Sequence, residues 1–590
     1  MRARTIGVLT VLSALSVLGA CATHNGSLGG AATFQSADCP SPNYPGVPEA
    51  DLGPNYSCGY LTVPENRSAP NGRRIRLLVA RVKAATSAPR PDPIVFLAGG
   101  PGGAGTLSAP GVVAGGMNAD RDIIFVNQRG TLHSDPHLAC RAMDDFAAQS
   151  IGLVYQDAST AALDAGAITT CRERLAPIGA DFAAYNTIEN AADIADLRVA
   201  LGIEQWNVYG VSYGADLALQ LLRDHPEGIR SVVLDSVVPP NQNLVDKWWE
   251  APASSLAAIF AACAAQPACA AAYPNLATDF TATVNRLSAT PAVITVADAS
   301  GKPVQVTVDG FKLIPLVLAW SASASQVMDI PRMIDDLANG DGRLAAAAIV
   351  ATNDLPEDQR GLLGAGLALG AYCQEMANWT DPAQALSQAR MAMPGVADSV
   401  LEIMPTGSWL FDECRAWGLG RSDPAALAPA ISAVPTLILS GTFDSSAAPS
   451  WVGQVTPGLS NSVVLHFPGV GHGVLPTSRC AQSIMTAYLD DPHAAVDSSC
   501  IEKTAIPTFT TSRSAPATTG RTSPVRSAGA QCRRTHATEA HLVVPESEEP
   551  WRRGMTLARC ARGGMEHAPA LNTRVAMGAA GGPGDEREPA

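Results

Sequence analysis

The sequence has no excess of basic residues: 40 Lys and Arg stand against 54 Asp and Glu, a formal net charge of −14 over 590 residues. Without a cationic face to draw in a phosphate backbone, nucleic acid is excluded as an expected partner. CxxC pairs and HExxH helices are both absent, so the usual zinc patterns are missing and no metal is expected. After residue 20 no run has the length or apolarity of a membrane span. What is present is apolar: 47% of residues are hydrophobic, enough for a large core and a catalytic unit with a sizeable insertion.

Arg2 and Arg4 precede an apolar run from Thr5 to Ala20 that is too short to span a bilayer, the pattern of a signal peptide over residues 1–20. Leu18-Gly19-Ala20-Cys21 resembles a bacterial lipobox, in which Cys21 is lipidated. Its acyl chains would anchor the protein to a membrane, each buried methylene adding about 0.8 kcal/mol. The expected protein is therefore bacterial and exported, either membrane-anchored or secreted and periplasmic. Export makes the 13 cysteines candidates for disulfides. With Cys21, Cys532 and Cys560 set aside, sequence order suggests Cys39 with Cys58, Cys140 with Cys171, Cys263 with Cys269, Cys373 with Cys414, and Cys480 with Cys500. Spacing does not decide connectivity, and oligomeric state stays open.

Short, continuously apolar runs such as Ile94–Leu97, Ile123–Val126, Val232–Leu234 and Leu437–Leu439 read as strands buried on both faces of a parallel sheet. Helical patterns at Ala191–Leu201 and Ala215–Arg223 alternate with them, which predicts an α/β class with a doubly wound, mostly parallel sheet. Residues 241–429 break that rhythm, being alanine-rich and helix-like, with several tryptophans. They are read as a helical cap inserted between a first core segment (39–240) and a second (430–505). From about 506 to 590 the composition turns to Thr, Ser, Arg, Gly and Pro, and disorder is expected.

The pentapeptide Gly210-Val211-Ser212-Tyr213-Gly214 is the one serine setting of its kind in the chain, with a strand pattern before it and a helix pattern after it. That context is a nucleophile elbow, where glycines permit a strained turn that lifts the serine above the sheet. Ser212 is therefore the candidate nucleophile. A serine needs a base, and the base an orienting acid, and in this fold the chain order is Ser, acid, His. Asp444, just beyond the strand pattern Leu437–Leu439, is the candidate acid, with the strand-ending Asp235 as competitor. His472, in the exit loop Gly469–Gly473, is the candidate base, while His466 within the preceding strand is given a structural role. Gly99-Gly100-Pro101-Gly102-Gly103 follows a strand and lacks the Lys-Ser/Thr ending of a phosphate loop. Gly100 N–H and Tyr213 N–H are the expected oxyanion donors, since a backbone amide approaches substrate closely only where side chains are absent.

Together the GGPGG loop, the Asn127-Gln128-Arg129-Gly130-Thr131 turn, the GVSYG elbow, the SGTFD strand end and the GVGHG loop resemble the prolyl aminopeptidase family of serine peptidases. The closer likeness, from about Cys39 to Cys500, is to its exported tripeptidyl aminopeptidase-like branch, which carries a characteristic C-terminal domain. Ala98, Asn127 and Leu132-His133 depart from the pattern of cytosolic members. The resemblance implies an α/β-hydrolase fold and a peptide substrate hydrolysed from its free N-terminus by Ser-His-Asp acyl transfer, without a cofactor. Such an enzyme needs an anion for the α-ammonium, and the cap carboxylates Glu250, Glu375, Asp412 and Glu413 are the candidates. Two other readings use the same residues: a carboxylesterase or lipase with the same triad, and a catalytically inactive surface binding lipoprotein.

Overall fold

The computed structural model describes residues 32–40, 53–405 and 408–511. The expected signal peptide with Cys21, and the residues from 512 on, lie outside the described residues. The strands are β1 (Thr33–Ala37), β2 (Tyr56–Pro64), β3 (Arg74–Val82), β4 (Ile94–Leu97), β5 (Ile123–Val126), β6 (Trp206–Val211), β7 (Ile229–Asp235), β8 (Ala292–Ala297), β9 (Pro303–Val308), β10 (Thr436–Gly441) and β11 (Ser462–Phe467). Nine of them form one sheet in the order β1-β2-β3-β5-β4-β6-β7-β10-β11. The first three join antiparallel and meet β5 antiparallel, and every pairing from β5 to β11 is parallel.

Both faces of the sheet are covered, which explains why β4 and β5 are apolar at every position. Val95 and Leu97 of β4 pack on one face with Leu217 and Leu221 of the helix Tyr213–Asp224 and with Ile194 of the helix Thr187–Ala200. Ile94 and Phe96, one residue out of step, pack on the other face with Val112 of the helix Gly105–Ala114 and Ile484 of the helix Arg479–Asp490.

Between the neighbouring strands β7 and β10 the chain makes its long excursion, mostly helical, around a buried cluster that includes Phe280, Val284, Leu313, Ile330 and Ile349. The structure differs from the sequence reading here in three ways. The cap contains an antiparallel hairpin, β8 with β9, whose β-branched residues bury one face. The helix Ala158–Leu175, which sequence order groups with the first core segment, lies against the cap helix Leu410–Trp417. Ordered chain continues past residue 506: Phe509 is buried in the cap cluster, Thr510 N–H donates to the Met328 carbonyl, and the Tyr273 hydroxyl donates to the Thr510 carbonyl.

Among the described residues five disulfides form, pairing Cys39–Cys58, Cys140–Cys171, Cys263–Cys269, Cys373–Cys414 and Cys480–Cys500. Among the described residues no helix is long and apolar enough to cross a membrane.

Candidate active site

Because β4, β6, β7, β10 and β11 are mutually parallel, the loops that follow them all leave the sheet at one edge. In open parallel sheets the ligand crevice lies outside those carboxyl ends. Ser212 follows β6 directly and opens the helix Tyr213–Asp224, with φ 58° and ψ −126°. A side-chain-bearing residue held there costs about 1–3 kcal/mol and persists only where its surroundings over-determine it. Here the strand before and the helix after approach closely: a Cβ on Gly214 would lie 2.0 Å from the Leu97 carbonyl oxygen, and one on Gly210 would lie 2.1 Å from that of Gly214. Gly214→Ala is therefore expected to cost about 3 kcal/mol of stability through overpacking, read as a lower urea midpoint. An unchanged midpoint would show that the elbow relaxes freely.

Asp444 lies three residues beyond β10 and is fully buried. Its Oδ1 accepts the backbone N–H groups of Ser446 at 2.9 Å and Ala447 at 2.8 Å, which aims the carboxylate. His472, on the loop after β11, places Nδ1 2.8 Å from Asp444 Oδ1 and 2.9 Å from Oδ2. Burial lowers the pKa of His472, but the adjacent Asp444 charge and hydrogen bond outweigh it, leaving the ring above its ordinary 6.5. Nε2 of His472 is buried with no hydrogen-bond partner, and the ring lines the same cavity as Ser212.

The competitor Asp235 is committed elsewhere. Its carboxylate accepts the N–H groups of Val474 at 2.7 Å and Leu475 at 2.9 Å and the Tyr209 hydroxyl at 3.2 Å. It anchors the segment that follows His472, and burial pushes its pKa up to about 6 against those bonds. His466 is exposed on β11.

Residues 92–478 match the family described as alpha/beta hydrolase fold. The chain belongs to the α/β-hydrolase fold family. The tripeptidyl aminopeptidase of Streptomyces coelicolor is 30% identical over 205 residues, 33% of this chain and 37% of that protein. The serine protease Hip1 of Mycobacterium tuberculosis is 25% identical over 205 residues, 34% of this chain and 39% of that protein. The proline iminopeptidase of Xylella fastidiosa is 47% identical over 51 residues, 9% of this chain and 16% of that protein. This chain thus spans well under half the length of each. Their names agree with the resemblance drawn from the motifs.

In this α/β-hydrolase the Gly-rich loop faces the elbow. A Cβ on Gly99 would lie 2.8 Å from Ser212 Cβ, and Gly100 takes φ +125°, a conformation that suits glycine. Gly100 and Tyr213 line one cavity with Ser212 and His472, about 50 Å³ in volume. Its other walls come largely from apolar side chains that carry no motif: Val238, Leu244, Trp248, Tyr372 and Met376. Trp248 and Tyr372 meet edge to face, with ring centroids 5.5 Å apart.

The four cap carboxylates do not line this cavity. Glu250 is paired with Lys247 at 2.8 Å and accepts from the Trp451 indole at 3.0 Å. Asp412 sits near the surface, paired with Arg415. Glu413 is buried beside Asp164, and burial together with that neighbouring charge raises its pKa. Glu375 is buried and accepts both the N–H and the hydroxyl of Thr187, at 2.7 and 2.6 Å. Burial pushes its pKa up to about 7 against those two bonds. Among the described residues no group of three or more His, Cys, Asp or Glu is arranged to hold a metal.

Proposed function

We propose that this chain is an exported serine peptidase that hydrolyses peptides from the free N-terminus by acyl transfer. The observation that carries the chemistry is His472, bonded to the buried Asp444 and lining one cavity with a strained Ser212. Ser212 Oγ attacks the scissile carbonyl, and His472 Nε2 takes its proton and returns it to the departing amine. Asp444 holds the ring and stabilises its protonated form. The N–H groups of Gly100 and Tyr213 receive the oxyanion, the latter from the first turn of a helix, where no intrahelical acceptor competes. Water then releases the acyl group by the same steps in reverse roles.

The peptide class is supported by relatives named as an aminopeptidase, a serine protease and an iminopeptidase. Export with anchoring through Cys21 is supported by the leader pattern, and five disulfides fit an oxidising compartment. The test pairs free with N-acetylated tripeptide anilides, alongside a short-chain p-nitrophenyl ester. Cleavage restricted to free N-termini is expected. Equal cleavage of blocked peptides would remove the N-terminal reading, and turnover of the ester alone would assign a carboxylesterase.

A further inference from the structure

The cap bonds directly to Gly100, one of the two residues carrying the candidate oxyanion donors, and reaches the other, Tyr213, through Thr187. Gly364 N–H donates to the Gly102 carbonyl at 2.9 Å, and the Tyr372 hydroxyl donates to the Gly100 carbonyl at 2.8 Å, so the Gly-rich loop is held from above by its own oxygens. The second donor is reached through a chain of buried polar groups. Glu375 accepts the Thr187 hydroxyl, which leaves Thr187 Oγ1 to accept from the Tyr213 hydroxyl at 3.0 Å. Asn190 donates to Gln128 at 2.8 Å and approaches the Tyr213 hydroxyl at 3.4 Å, and Gln128 donates to the Ala98 carbonyl at 2.9 Å. The chain therefore runs from the cap past Tyr213 to Ala98, the residue before the Gly-rich loop.

Tyr372 and Glu375 belong to one π-helical turn, Tyr372–Met376, tied at Cys373 to Cys414. Such turns are rare and recur at functional sites. Glu375 also caps the N-terminus of the helix Thr187–Ala200, where a negative charge is favoured. Burying a carboxyl is costly, and apolar contacts could join cap to core as firmly. What directed polar bonds add is a fixed orientation of the groups they hold.

We propose that the turn Tyr372–Met376 sets the geometry of the oxyanion hole, with Tyr372 positioning Gly100 and Glu375, through Thr187, positioning Tyr213. The proposal rests on Gly100 and Tyr213 N–H being the donors. Both side chains are positioning residues. Small displacements matter here because preorganised donors act only at the site where charge develops.

The experiment measures kcat, KM and inhibition by a peptide boronic acid, whose tetrahedral adduct on Ser212 places an oxygen in the hole. The proteins are wild type, Tyr372→Phe, Thr187→Val and Thr187→Ser, each checked by circular dichroism and Tm. Tyr372→Phe and Thr187→Val are expected to lower kcat and boronate affinity about tenfold with KM within about twofold, and Thr187→Ser to restore both. Unchanged kcat, losses confined to KM, a Thr187→Ser no better than Thr187→Val, or unfolding of both disruptive variants would overturn it. A wild type that neither binds the boronate nor labels at Ser212 with a fluorophosphonate would defeat the underlying acyl-transfer reading, and this proposal with it.

Discussion

Ser212→Ala is expected to lower kcat by about a millionfold, because removing the proposed nucleophile from the proposed triad leaves only the residual catalysis of the oxyanion hole and binding. The same substitution should leave the fold intact. Ser212 donates its backbone N–H to the Asp235 carbonyl at 3.0 Å and accepts from Ala215 N–H at 2.8 Å, and both bonds survive loss of the hydroxyl. The positive φ persists as well, since the neighbouring glycines and not the serine side chain make room for the turn. Steady-state kinetics with a tripeptide anilide, together with a thermal melt, separates the two effects. A Ser212→Ala enzyme within tenfold of wild type would sink the assignment, and a collapsed Tm would show that the hydroxyl serves the fold.

Asp444→Asn comes next, with an expected fall in kcat of about ten thousandfold from losing the carboxylate that fixes tautomer and orientation. The pH dependence carries the sharper signature. In the proposed mechanism His472 must be neutral to accept the serine proton, so wild-type kcat/KM is expected to fall as pH drops through a pKa held above 6.5 by Asp444. Without that carboxylate burial dominates, the protonated ring is less stable, and the acid limb moves to lower pH. Asp235 and Glu375, raised by burial to about 6 and about 7, titrate close by. The limb is therefore assigned by its movement with Asp444 and not by its position. An acid limb identical in wild type and Asp444→Asn would mean that His472 is not the group being read.

The elbow, the Gly-rich loop and the loop of His472 are legible in the sequence because each is a strand followed within a few residues by its functional group. In a parallel sheet that local pattern already places the group at the carboxyl edge. Asp235 and Asp444 look alike on the same terms, the first ending a strand and the second three residues beyond one. Their separation depends on contacts between distant segments: Val474 and Leu475 N–H occupy the first, and His472 Nδ1 meets the second. The cap resisted a similar reading. Its alanine-rich helices carry little periodic contrast, so the sequence gives no sign of which face looks toward Ser212. Trp248, Tyr372 and Met376 reach the cavity while Glu375 turns away to Thr187. The tail boundary was misplaced for a related reason: Phe509 is buried in the cap cluster, and Gln266, Tyr273 and the Met328 carbonyl bond the segment around it, contacts that no local pattern announces.

Sequence alone determined the α/β class, the candidate order Ser212, Asp444, His472 along the chain and the glycines that a tight elbow requires, because these follow from local periodicity and the stereochemistry of short turns. Tertiary structure decided which acid meets the histidine, which walls enclose the serine and where the cap carboxylates point. Those outcomes depend on packing between segments tens to hundreds of residues apart, and no local pattern encodes them.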